Sequence, residues 1–119
     1  MEINIQIFGT MKCKDTQKAL RFFMERRIKP HFVNLNEKAV SPGELDNIST
    51  VIPLDILIDK ESKEYEKKNL NYMTFDTREI LLVNPLLFKT PITRSGKKAT
   101  LGYEPEMWKK WLKDFSENH

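Results

Sequence analysis

The sequence has 119 residues, with 20 Lys and Arg against 17 Asp and Glu, two His and one Cys. This is the length of one domain with a core of its own, and it excludes an intramolecular disulfide and a four-ligand structural zinc site. A net charge of +3 is too small to predict direct nucleic-acid binding.

Ile3, Ile5 and Ile7 alternate with Asn4, Gln6 and Phe8, which is strand periodicity. Gly9-Thr10-Met11-Lys12 turns the chain, and a helix is predicted from about Lys14 to Arg27. Its apolar face is Ala19, Phe22 and Phe23, flanked by Leu20 and Met24. Asp15 in the first turn and Arg26, Arg27 and Lys29 at the end complement the helix dipole, and Pro30 is the predicted stop. His31 to Asn36 reads as a second strand.

The middle differs in kind. Ser41-Pro42-Gly43-Glu44 has the layout of a capping box, followed by Leu45 and Ile48. Val51 to Ile58 is apolar but interrupted, and 60–71 is highly charged. A further helix opens at Asp76, with Glu79 three residues on, and closes at Asn84-Pro85. No strand is evident in this stretch, which is too short to bury a core alone and reads as an insert at about 42–83. Pro91 to Arg94 and Ala99 to Leu101 then form a predicted hairpin across Ser95-Gly96-Lys97-Lys98. Pro105 starts a last helix, with Met107, Trp108, Trp111, Leu112 and Phe115 inward. The order βαβ, helical insert, ββα predicts a single α/β domain over 1–119, thioredoxin-like, around a mixed four-stranded sheet.

Charge is unevenly distributed. Residues 12–29 carry +5, from seven basic residues against Asp15 and Glu25, and residues 89–119 carry +3, from seven basic against four acidic. Residues 30–88 carry −4, from ten acidic against six basic. A fold that joins the two basic regions would create an anion-friendly surface.

The loop after a first strand and the first turn of its helix lie at the carboxyl edge of the sheet, where ligands collect. Cys13 falls there. Helix N–H groups, the flanking Lys12 and Lys14, and a hydrogen bond from Thr16 in Cys13-Lys14-Asp15-Thr16 would all favour its thiolate. This C-x-x-T lacks a second sulfur, so an external thiol would have to resolve any mixed disulfide. Thr10 in the same loop is a candidate substrate contact. At Thr90-Pro91, a cis bond would present the Thr90 backbone to an extended substrate such as a glutathionyl peptide, and a trans bond would simply start an edge strand. Lys89 and Arg94 could add charge if they point inward.

Other chemistries lack residues. Only four glycines exist, so GxGxxG cannot be written, and the phosphate-loop pattern before Gly96-Lys97 fails at Pro91. His31 has no evident nucleophile to serve, and Trp108 and Trp111 have core spacing. No basic-then-apolar leader opens the sequence, and its apolar stretches are broken by Pro53, Asp55 and Pro85. The expectation is a cytoplasmic protein, off the membrane, with no bound metal or cofactor.

Two segments carry a further signal. One is Ile5-Gln6-Ile7-Phe8-Gly9-Thr10-Met11-Lys12-Cys13 running into Asp15-Thr16-Gln17-Lys18-Ala19. The other is Asn84-Pro85-Leu86-Leu87-Phe88-Lys89-Thr90-Pro91-Ile92 followed by Leu101-Gly102-Tyr103. Together they resemble the bacterial arsenate reductase family, which also includes the Spx-type transcription regulators. The resemblance implies a thioredoxin-like fold with a helical insert. It also implies three oxyanion-binding arginines that this sequence lacks: Asp59 follows Leu57-Ile58 in place of one, Thr90 replaces another, and none stands near Tyr103. Gly9 replaces the histidine that opens the reductases' Cys loop. The expected function is therefore a monothiol thiol-disulfide oxidoreductase acting on a small thiol or disulfide, with glutathione or another thiol as co-substrate, and not an arsenate reductase. The alternative is a non-catalytic Spx-like module. The protein partners implied are a glutaredoxin or RNA polymerase.

Overall fold

The computed structural model describes residues 3–118, without the side chain of Asn118. Four strands, β1 (Gln6–Gly9), β2 (His31–Asn34), β3 (Ile92–Ser95) and β4 (Lys98–Leu101), form one sheet in the order β2-β1-β3-β4. β1 and β2 are parallel, while β3 runs antiparallel to both β1 and β4. The helices are α1 (Lys14–Glu25), α2 (Pro42–Ser49), α3 (Leu54–Leu57), α4 (Lys63–Lys67), α5 (Thr77–Val83) and α6 (Pro105–Asn118). This is the thioredoxin-like α/β arrangement that the element order predicts. No helix among the described residues is long and apolar enough to cross a membrane.

β1 is central and buried on both faces, so its alternation separates two cores rather than core from solvent. Ile5 and Ile7 join Ala19, Phe22 and Phe23 of α1 and Trp108 and Trp111 of α6. Phe8 points the other way and joins Val33, Leu35, Ile92 and the apolar residues of the insert, among them Leu45, Ile48, Leu57, Leu81 and Leu87. The insert thus completes its core against the sheet. Trp108 is fully buried and donates its indole N–H to Thr100 Oγ1 at 2.8 Å, so its polar atom is satisfied inside the core. Met107, expected on the inner face of α6, is 44% exposed because it lies a residue off the Trp108–Trp111 line.

The end of α1 and a bridge in the insert differ from expectation. α1 ends at Glu25 instead of running to Arg27 and Pro30. The Ile28 N–H bonds the Phe23 carbonyl at 2.9 Å and the Arg27 N–H bonds the Met24 carbonyl at 3.0 Å, while Arg27 has φ +61°. These are the bonds of a Schellman motif, here with arginine where glycine is usual. In the insert, Ile58 forms an isolated antiparallel bridge with Phe88, reinforced by Asp59 N–H to Leu87 O and Lys89 N–H to Leu57 O, both 2.7 Å. This clip holds the insert to the segment leading into β3.

Candidate functional site

The turn after β1 is closed by the Cys13 N–H bonding the Thr10 carbonyl at 3.1 Å, and the Gln17 side-chain amide ties to the Met11 carbonyl. Cys13 is the N-cap residue of α1, in extended conformation (φ −79°, ψ 117°), and its side chain makes no capping hydrogen bond. The first-turn N–H groups, normally answered by a serine or aspartate oxygen, instead have a sulfur in front of them. The half-buried Cys13 thiol donates to the Thr90 carbonyl at 3.6 Å. The Thr90–Pro91 bond is cis. Cys13, Thr16 and Thr90 therefore lie together, with Pro91 next in the chain, and Thr10 contributes its carbonyl to the turn.

Burial pushes the Cys13 pKa up, but the Thr16 hydroxyl, the Thr90 side chain and the Thr16 and Asp15 backbone N–H groups outweigh it and leave the thiol below its ordinary value. Thr16 is completely buried, and its Oγ1 makes no hydrogen bond of ordinary geometry. Its place near the sulfur makes it one of the groups that favour the charged form.

Three expectations change. Lys12 and Lys14 are exposed and are not among the groups that lower the thiol. Their charge is solvated, and the hydroxyls and the helix end do the work assigned to them. Arg94 does not join the site. It lies opposite Gln6 in the β1–β3 register, on the sheet face that carries Phe8 and the insert. There it donates to Gln6 Oε1 from Nε at 3.0 Å and Nη2 at 2.6 Å, and to Asn47 Oδ1 at 3.0 Å, with Glu44 at 3.8 Å. That position is three strand residues, about 10 Å, from the Gly9 end of β1. Asp59 likewise serves the insert, its Oδ1 accepting the Glu61 N–H at 3.1 Å.

Gly9 is the residue that sequence reasoning undervalued. A Cβ there would sit 2.7 Å from Thr16 Cγ2 and 3.1 Å from Thr16 Cβ. Only glycine lets the first turn of α1 press Thr16 against the end of β1. The available signal was a glycine closing a strand just before a short C-x-x-T turn.

The ArsC family profile matches residues 8–111. The global transcriptional regulator Spx 2 of Oceanobacillus iheyensis is 26% identical over 122 residues, covering 98% of this chain and 90% of that protein. Among solved structures, the arsenate reductase from Vibrio cholerae superposes with a TM-score of 0.76 at 18% identity, covering 90% of this chain and 96% of that one. An arsenate reductase related protein from Brucella melitensis gives 0.65 at 20% identity, covering 95% and 98%. At such identities the structural likeness establishes the fold alone. The profile spans both the Cys13 loop and the Thr90–Pro91 segment that form the site, and the chain belongs to the ArsC family.

Proposed function

We propose that the protein is a monothiol thiol-disulfide oxidoreductase with Cys13 as nucleophile. The Cys13 thiolate attacks a disulfide R–S–S–R′, forming Cys13–S–S–R and releasing R′–S⁻. An external thiolate such as glutathione then attacks the R sulfur, so the S–S bond to Cys13 breaks, the Cys13 thiolate is regenerated and the new disulfide leaves. Thr16 cannot perform that second step and serves only to stabilise the sulfur anion. The observation that carries this reading is the half-buried Cys13 thiol at the head of α1, set against the Thr90 carbonyl and held below its ordinary pKa. Such chemistry suits a reducing compartment such as the cytoplasm. Arsenate is a poor fit, because Thr90 beside the sulfur offers no charge and Arg94 is committed elsewhere.

The likeness to Spx 2 over nearly the whole chain favours a second reading, a regulatory module that binds a protein partner such as RNA polymerase. The two separate on the sulfur. Alkylation of native protein as a function of pH, with Cys13→Ser as blank, is expected to give a half-point below the ~8.5 of a free thiol, and turnover of glutathione-linked disulfides is expected to vanish in Cys13→Ser. A thiol that reacts only after unfolding would rule out catalysis. A partner complex that survives Cys13→Ser would support the regulatory reading.

A further inference from the structure

The sheet has an edge that the fold leaves open. Among the described residues β4 pairs only with β3, so alternate residues along it turn backbone N–H and C=O groups away from any strand. Its four residues give about 13 Å of edge, enough to receive a short extended segment. Side chains on β4 alternate between two neighbours. Ala99 and Leu101 pack toward the insert, while Thr100 holds the Trp108 indole and Lys98 meets Asp114 of α6 at 4.0 Å.

A groove of about 390 Å³ lies at this edge and draws residues from both sides of the sheet. Ala99 of β4, Met107 and Trp111 of α6, and Val51 beyond the end of α2 give it an apolar floor. Val51 is 46% exposed and Met107 44%, so apolar surface is left in water on either side of the strand. The rim is cationic, with Lys97, Lys98 and Lys110 against one carboxylate, Asp114. Lys98 takes that carboxylate, and Lys97 and Lys110 make no hydrogen bond or ion pair among the described residues. Part of the +3 carried by residues 89–119 is thus gathered, unneutralised, around an apolar slot.

Lysines on an edge strand ordinarily keep like edges apart, and a second copy laid along β4 would set lysine against lysine. That role explains the charge but not the half-exposed Val51 and Met107. A strand with acidic side chains meets both features, because its carboxylates are attracted where a second copy is repelled. We propose that the β4 edge docks an extended acidic segment of a partner protein, which adds to the sheet as a fifth strand. Its backbone pairs with the outward groups of β4, and successive apolar side chains fall alternately toward Met107 and toward Val51. Its carboxylates meet Lys97 and Lys110. The hairpin turn lies at the Gln6 end of β1, whereas Cys13 follows the Gly9 end. The docking site is therefore separate from the thiol and stands under either reading of Cys13.

The probe is a capped hexapeptide with two central valines and two glutamates on each side. On titration it is expected to shift the amide resonances of Val51 and of residues 98–101. The double variant Lys97→Glu/Lys110→Glu, altered only at exposed positions, is expected to bind it about tenfold more weakly. N-methylation of both valines blocks the one N–H of the two that faces β4, and is expected to weaken binding about fivefold or more. Equal binding of the peptide with glutamine in place of glutamate, or shifts confined to another surface, would overturn the proposal. Undiminished binding of the N-methylated peptide would do the same, by reducing the site to a field of lysines. If the same amides shift with protein concentration alone, the edge takes a second copy and the acidic partner is refuted.

Discussion

The two ends of the central β1–β3 pair hold polar clusters of opposite character. At the Gln6 end, Gln6 Oε1 accepts from Arg94, Gln6 Nε2 donates to Glu44 at 3.0 Å, and Arg94 reaches Asn47. Glu44 also closes the capping box of α2 by accepting the Ser41 N–H at 3.0 Å. Each of these side chains finds its partners within the fold. At the Gly9 end, the Thr16 hydroxyl is equally enclosed but unengaged, and the α1 cap is a sulfur with no capping bond. A buried hydroxyl without a partner costs stability unless something claims it. The closed cluster fastens the insert to the sheet. The open one leaves a buried hydroxyl without a partner near the thiol. Thr93 Oγ1 is also buried and unengaged, mid-strand opposite Ile7, and nothing in the structure explains it.

The largest expected break falls at the open end. In Gly9→Ala the new methyl would collide with Thr16 Cγ2, a short side chain fixed to a packed helix, so α1 must shift. Denaturant unfolding is expected to show a loss of about 2–3 kcal/mol, and alkylation a raised thiol pKa. Stability lost without a change in the thiol would mean that Gly9 does not position Thr16.

At the closed end, Arg94→Met is expected to cost about 1–2 kcal/mol near neutral pH, with the pKa of Cys13 unchanged. Burial raises the Glu44 pKa, but the Ser41 backbone, the Gln6 and Ser41 side chains and the charge of Arg94 together hold it below the ordinary value. Glu44 therefore stabilises the fold above its unfolded pKa, and that contribution is lost as pH falls through the lower, folded value. The difference between wild type and Arg94→Met should narrow below about pH 4. A gap that stays constant into acid would detach Glu44 from the cluster.

How much of this contrast the sequence could disclose follows from the range of each interaction. Strand alternation, the Cys13 turn, the capping box at Ser41 and the hairpin at Gly96 are local patterns, and they reappear in the fold with boundaries shifted by a few residues. The fate of Arg94 was not local. It depends on the register of β3 against β1, which puts Arg94 on the same face as Ile92 and so on the insert side. The early end of α1 was hidden because Arg27 takes a conformation usually marked by glycine. The contact of Gly9 with Thr16 joins a strand end to a helix turn across a loop, and the pattern of neither element encodes it.

The smallest expected loss of stability is also the sharpest test of the open cluster. Thr16→Val keeps the shape of the side chain and removes a buried hydroxyl that has no formed hydrogen bond. With the thiol protonated, the variant should therefore be at least as stable as wild type. The thiol pKa, in contrast, should rise, because burial still raises it and the foremost opposing group is gone. In wild type the folded thiol lies below its unfolded value, so the thiolate contributes stability that grows as pH rises between the folded value and about 8.5, and that persists above it. Thr16→Val should therefore lose ground against wild type as pH rises toward about 9, as read by unfolding across that range. A difference that does not change with pH would make the hydroxyl an ordinary part of the core, and the contrast between the two ends of β1 would collapse.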